Sequence, residues 1–230
     1  ISRPIITYGI STQADIQAVN IRHDANKMYF KIKDKKYKKI DFEIVINFPG
    51  EHFVRNTLAA ISIGLEHGVS INNIKKAIAN FKGVARRYEI YDDILIKDKR
   101  IKVIDDYGHH PTEIEAVIRA TKKGFSKKKI NLVFQPHRNT RTRDCFKEFI
   151  RVLKIPDRVF LFDIYSAGEE DIKNISTKNL IKSVKHPDIH YLSNFKSAKN
   201  TIFNIIEDNS ILIIMGAGSI GNFTKQIITK

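Results

Sequence analysis

With 230 residues, 42% hydrophobic and 28% charged, the chain has the composition of one large or two small globular domains, which excludes a disordered or collagen-like polymer. No apolar run approaches the roughly 18 residues of a membrane-spanning helix, and Cys145, the single cysteine, excludes an internal disulfide or a thiolate zinc cluster and fits a reducing cytoplasm. The net charge of +15 raises nucleic-acid binding as a reading. However, lysine is spread along the whole chain together with isoleucine and asparagine, as AT-rich codons would give, and no basic stripe interleaves with stacking aromatics. Neither nucleic acid nor a membrane is expected as a partner. Arg3 and Pro4 interrupt the start, so no secretory leader is expected. The chain begins at Ile1, within what reads as a strand already under way, which marks it as a piece of a longer protein.

In chain order, residues 1–46 carry the short β-like runs Ile5–Tyr8, Ala18–Arg22, Met28–Ile32 and Phe42–Ile46, separated by lysine-rich turns. After Pro49-Gly50, Val54, Leu58, Ile61 and Leu65 recur at helical spacing as far as Gly68. Ser70 is placed to cap a second helix with Ile71, Ile74, Ile78 and Phe81 on one face. Gly83 marks a boundary. Beyond it strands and helices alternate: strands at Ile101–Ile104, Ile130–Phe134, Val159–Ile164, Ile189–Leu192 and Ile211–Met215, with helices after Pro111, over Phe146–Leu153, near Thr177–Val184, through Ala198, Ile202 and Ile205, and after Gly218. Near-continuous apolar strands between helices predict an α/β fold with a mostly parallel sheet covered on both faces. Ligands of such sheets sit at the carboxyl ends of the strands.

Several segments lie at those ends. Asp105-Asp106-Tyr107-Gly108-His109-His110-Pro111-Thr112-Glu113 runs from a strand into a helix that Pro111 opens. It sets two carboxylates, suited to ribose hydroxyls or a hydrated metal, and two imidazoles that titrate near neutrality beside a helix N-terminus, which attracts anions. Gln135-Pro136-His137-Arg138-Asn139-Thr140-Arg141-Thr142-Arg143 follows the next strand, and a helical turn would put Arg138 and Arg141 on one face as paired forks for a carboxylate or phosphate. His52 and Asn56 share a polar helix face, where an Asn amide can read an adenine edge. Gly83-Val84-Ala85-Arg86-Arg87-Tyr88-Glu89 offers cations for phosphate, and Tyr165-Ser166-Ala167-Gly168-Glu169-Glu170-Asp171 either lines the same cleft or is a solvated acidic loop. Gly216-Ala217-Gly218-Ser219-Ile220-Gly221 fits a dinucleotide-type turn, but no βαβ unit or acidic residue about 20 positions on follows it, which favours a tight structural turn.

Taken together and in this order, these motifs resemble those of the Mur ligases of bacterial cell-wall synthesis over essentially the whole chain. DDYGHHPTE at 105–113 and FQPHRNTRTRD at 134–144 carry the resemblance, with PGEHFVRNTLAA at 49–60, GVARRYE at 83–89, YSAGEED at 165–171 and GAGSIG at 216–221. The resemblance implies a Rossmann-like carboxyl-terminal domain at 84–230. Residues 1–83 would be the last part of a P-loop-type ATPase domain, with the uridine-nucleotide domain and the P-loop itself absent. It implies ATP and Mg2+ as cofactors, the ion's ligands mostly in the missing part. It also implies ligation of L-alanine to the carboxylate of UDP-N-acetylmuramate through an acyl phosphate, in the bacterial cytoplasm. By the same resemblance His52, Asn56, Arg87 and Asp106 would bind ATP, His52 being followed here by Phe53 where the family usually has Asn. Tyr107, His109, His137, Arg138 and Arg141 would form the L-alanine pocket, with His109 catalytic. The chain alone is expected to be inactive, with a separately encoded amino-terminal half among its conceivable partners. The competing readings are a murein-peptide recycling ligase and a basic nucleotide- or nucleic-acid-binding module.

Overall fold

The computed structural model describes residues 5–11, 13–36 and 43–229. They divide into two compact units at Gly83 and Val84, with Lys123–Phe125 grouped with the first. Among the described residues no helix is long and apolar enough to cross a membrane.

The first unit holds a four-stranded sheet in spatial order β1 (Tyr8–Gly9), β2 (Ile16–Asp24), β3 (Lys27–Asp34), β4 (Glu43–Ile46). β1 runs parallel to β2, and the other pairs are antiparallel. On β3, Met28, Phe30 and Ile32 are buried while Lys27, Lys31 and Lys33 face solvent, the alternation of a sheet covered on one side. The apolar side packs with Val54, Leu58 and Ile61 of α1 (Glu51–Glu66) and Ile74 of α2 (Ile71–Asn80). Ser70 caps α2 as its spacing predicts, accepting the Asn73 N–H at 3.3 Å.

Two expectations differ here. The run Ile5–Tyr8 yields a strand only from Tyr8, because the Thr7 N–H and hydroxyl donate to the Asp15 carboxylate at 2.8 and 2.7 Å, an alternative to a ladder. Helix α2 stops at Asn80, so Phe81 is not on its face but half exposed, its ring 5.6 Å from that of Phe48. Residues 1–4 of the opening run and Phe42 lie outside the described residues.

The second unit follows the predicted alternation: β5 (Glu89–Ile96), β6 (Lys99–Asp106), α3 (Pro111–Gly124), β7 (Ile130–Phe134), α4 (Asn139–Asp144), α5 (Phe146–Val152), β8 (Arg158–Phe162), α6 (Thr177–Val184), β9 (Ile189–Leu192), α7 (Phe195–Ile205), β10 (Ile211–Met215) and α8 (Ile220–Ile228). The six strands lie in the order β5-β6-β10-β7-β8-β9, all parallel except β5 against β6. Every residue of β7 and β10 is buried. On one face Val103, Val133, Phe160, Phe162, Leu212 and Ile214 pack with α7 and α8. On the other, the rings of Phe134 and Phe149 of α5 lie 5.7 Å apart, and the Tyr88 hydroxyl meets Thr121 of α3 at 2.9 Å.

Strand β5 had no sequence signal. Asp92-Asp93 interrupts its apolar pattern at a bulge, and its hairpin turns on Lys97-Asp98, both at positive φ, where Asn-Gly would have announced the turn. Because β10 inserts between β6 and β7, the chain order reverses there. In open α/β sheets such a reversal opens a crevice at the carboxyl ends.

Candidate functional site

The loop after β6 is built inward from Asp106. Its carboxylate, 5% exposed, accepts the N–H groups of Tyr88 at 2.8 Å and Gly108 at 2.7 Å. Burial pushes this carboxyl up to about 6 against the pull of those two donors. The chain then turns into α3, where the Glu113 carboxylate accepts the His109 and His110 N–H groups at 2.9 and 3.0 Å. Burial opposes the Glu113 charge, but these donors and the neighbouring cations hold its carboxyl below the usual value. His110 therefore serves the turn, its Nδ1 accepting the Thr112 N–H at 3.3 Å. Tyr107 and His109 are left facing the crevice, their rings 5.8 Å apart edge-on.

After β7, His137 and Tyr165 form a single parallel bridge that ties the next loop to the one after β8. Tyr165 N–H donates to the Pro136 carbonyl and Arg138 N–H to the Tyr165 carbonyl, both at 2.8 Å. The bridged rings stack at 5.5 Å, 18° from parallel, and His109 approaches His137 at 5.6 Å. Tyr107, His109, His137 and Tyr165 thus make one aromatic wall. Arg138 precedes α4 with φ 72° rather than sharing a helical face with Arg141. The left-handed residue swings its side chain to Glu169, 3.8 Å away, while Arg141 turns back on His137, donating to its carbonyl at 3.1 Å and lying 3.2 Å from its Nδ1. Burial, then its neighbours His109, Arg141 and Arg138, push the His137 imidazole below its ordinary value, which favours the uncharged ring. Glu169 also accepts from the Thr140 N–H at 3.0 Å and hydroxyl at 2.7 Å, so the acidic loop is locked to α4.

Arg86 and the glycine-rich turn form the floor. Arg86, at φ 57°, donates through Nε to Asp105 at 3.2 Å and through Nη2 to the Gly216 carbonyl at 2.7 Å. The neighbouring Arg87 stays exposed, and the two guanidiniums lie 5.3 and 5.4 Å from the Tyr107 ring centre. At the foot of α8 the Ile220 N–H donates to the side-chain oxygen of buried Gln135 at 3.1 Å.

The second unit therefore gathers Arg87, Asp106, Tyr107, His109, His137, Arg138 and Arg141 at one end of its sheet. His52 and Asn56 belong to α1 of the first unit: the His52 ring is half buried, 4.3 Å from that of Phe53, and Asn56 is exposed. The sequence marked Asp105 as a carboxylate for ribose or metal, Arg86 as a cation for phosphate and the loop of Tyr165 and Glu169 as lining the cleft or solvated, but not the contacts that these side chains and Gln135 make with one another, with Thr140 and with the glycine-rich turn. Their partners are distant in sequence, so no spacing rule reaches them. Among the described residues no three His, Cys, Asp or Glu side chains cluster as a metal site.

Residues 86–218 match the family described as Mur ligase, glutamate ligase domain, and residues 1–64 match the Mur ligase middle domain. The UDP-N-acetylmuramate–L-alanine ligase of Hydrogenovibrio crunogenus is 40% identical over 229 residues, 98% of this chain and 49% of that protein. The enzyme of the same name from Vesicomyosocius okutanii is 42% identical over 223 residues, 96% and 47% respectively. The crystal structure of a Thermotoga maritima UDP-N-acetylmuramate-alanine ligase superposes with a TM-score of 0.76 at 25% identity, covering 97% of this chain and 47% of that one. The chain spans about half the length of the curated relatives it matches. With sequence, fold and the loops at the sheet's carboxyl end in agreement, the chain belongs to the Mur ligase family.

Proposed function

We propose that this chain is the amino-acid-binding part of a bacterial, cytoplasmic UDP-N-acetylmuramate–L-alanine ligase, acting in peptidoglycan precursor synthesis. Residues 84–230 would be its third domain and residues 1–83 the end of its ATP-binding domain. Bound ATP would supply the activation, its γ-phosphoryl passing to the muramate carboxylate with ADP left behind, and the L-alanine amine would then attack the acyl carbon and expel inorganic phosphate. The roles of this chain lie around that amine. Arg138 and Arg141 hold the L-alanine carboxylate by charge-assisted hydrogen bonds. His137 in its uncharged form, with His109 beside it, takes the proton that the ammonium group must shed before attack. Tyr107 closes the pocket, with its ring held by two guanidiniums. Arg87 is an exposed cation suited to an ATP phosphate, and Asn56 with His52 to adenine. Asp106 can meet the ribose only through lone pairs not used by Tyr88 and Gly108. Mg2+ would take its ligands mostly from the part of the enzyme outside this chain, since no cluster of three such ligands stands among the described residues.

The observation that carries this reading is the pair of arginines flanking a His137 ring that favours its uncharged form, in a chain about 40% identical to ligases of that name. Saturation-transfer NMR on the 230-residue chain tests it with L-alanine and L-alaninamide, which lacks the carboxylate. L-alanine should bind at least tenfold more tightly. Equal binding of the two, or none of L-alanine, would overturn the reading.

A further inference from the structure

The glycine-rich turn after β10 meets the aromatic wall at one point. Gly218 has no positive φ, so its backbone would accept any residue. A Cβ there, however, would lie 2.7 Å from Cγ and 2.9 Å from Cβ of Tyr165, closer than side chains tolerate. Space for Tyr165 is what demands glycine. Tyr165 is in turn held at its backbone, at one edge and on one ring face. Its N–H and carbonyl are bonded to Pro136 and Arg138, one edge of its side chain rests on Gly218, and its ring stacks on His137. Yet it keeps 42% of its surface exposed. An exposed aromatic ring held this firmly beside Arg138, Arg141 and His137 is a preorganised wall of the amino-acid pocket, since nothing in the core needs it.

We propose that Tyr165 sets the size of the side chain the site accepts, and that Gly218 is the socket that seats it. The ring continues the Tyr107–His109–His137 wall, so a side chain projecting from a carboxylate held by Arg138 and Arg141 would run against it. Arg138 and Arg141 recognise the carboxylate, which all amino acids share, so discrimination falls to the wall. The motif GAGSIG accordingly works as a packing socket, with Gly221 doing for the Arg86 guanidinium what Gly218 does for Tyr165: a Cβ at Gly221 would lie 2.9 Å from it. The Tyr165 hydroxyl has no hydrogen bond among the described residues, so the ring is the working part.

This inference rests on the L-alanine reading above, and the test separates the two. Affinities of the 230-residue chain for L-alanine, L-valine and L-leucine are measured by saturation-transfer NMR in wild type, Tyr165→Phe and Tyr165→Ala. Wild type and Tyr165→Phe should favour L-alanine over L-leucine at least tenfold. Tyr165→Ala should narrow that ratio at least fivefold while still rejecting L-alaninamide. A Tyr165→Ala chain that keeps the wild-type ratio would overturn the sizing role and leave the L-alanine reading standing, whereas a wild type that ignores L-alanine would overturn both. Thermal melts give an independent arm. Gly218→Ala should lower the midpoint, and Tyr165→Ala made in that background should restore part of the loss. Strictly additive losses would overturn the socket.

Discussion

The Arg86 guanidinium lies against the buried Asp105 carboxylate, 3.2 Å from Nε to Oδ2, and reaches past it to the Gly216 carbonyl at 2.7 Å. One side chain thereby ties the start of the second unit to the ends of two neighbouring strands, β6 and β10. Burial raises the Asp105 carboxyl and Arg86 opposes it. Arg86→Met should strand that charge and cost about 3 kcal/mol at pH 7 in urea unfolding. The deficit should shrink toward pH 4, where the stranded carboxyl takes a proton. A loss under about 1 kcal/mol would show that the pair does not hold the crevice together.

Asp106 supplies a titration. Its folded value of about 6 stands above the ordinary 3.8. Between those values the folded chain keeps a proton that the unfolded chain has released, so the stability due to this group falls as pH rises through the window and stays low above it. The carboxyl 13C shift of Asp106 should move with a midpoint near 6. Asp106→Asn should flatten the stability profile over the same window. A midpoint at or below 4 would contradict the burial argument.

Arg141 spends only Nη1 on His137, donating to its carbonyl at 3.1 Å and lying 3.2 Å from its Nδ1, so the rest of its planar fork can meet a carboxylate in a geometry that an ammonium does not reproduce. In an enzyme completed with an ATP-binding half, Arg141→Lys and Arg138→Lys should each raise KM for L-alanine about tenfold, or about 1.4 kcal/mol. The KM for ATP should stay within about twofold. Equal rises for both substrates would place these arginines outside the amino-acid pocket.

Much of the second unit was legible because its strands are uniformly apolar and short. Ile130–Phe134 and Ile211–Met215 could be bounded directly, and Thr177–Val184 showed its helix. The loops at the sheet's carboxyl end were legible as motifs, since acids, imidazoles and arginines crowd where a parallel sheet presents its ligands. What escaped was set by distant partners. Strand β5 exists because β6 supplies its ladder across a bulge. The work of Arg86 depends on Gly216, 130 positions away, and the need for Gly218 depends on Tyr165. The side chain of Arg138 was misjudged because a left-handed residue takes it out of the helical turn that its spacing suggested.

The 230 residues hold no G-x-x-x-x-G-K-S/T run, the loop with which a P-loop-type ATPase domain holds the transferred phosphoryl group. The purified chain, given ATP, UDP-N-acetylmuramate and L-alanine, should release no phosphate above background. Substrate-dependent release from the chain by itself would mean that the ATP site lies within these residues.

The central claim is that these crevice residues receive free L-alanine. It is tested most directly by phosphate release in the same completed enzyme, with L-alanine and with a murein tripeptide offered as alternative acceptors. Release is expected with L-alanine, reduced about tenfold in Arg141→Lys at low L-alanine, and none above background with the tripeptide. Release that depends on the tripeptide and not on L-alanine would contradict it.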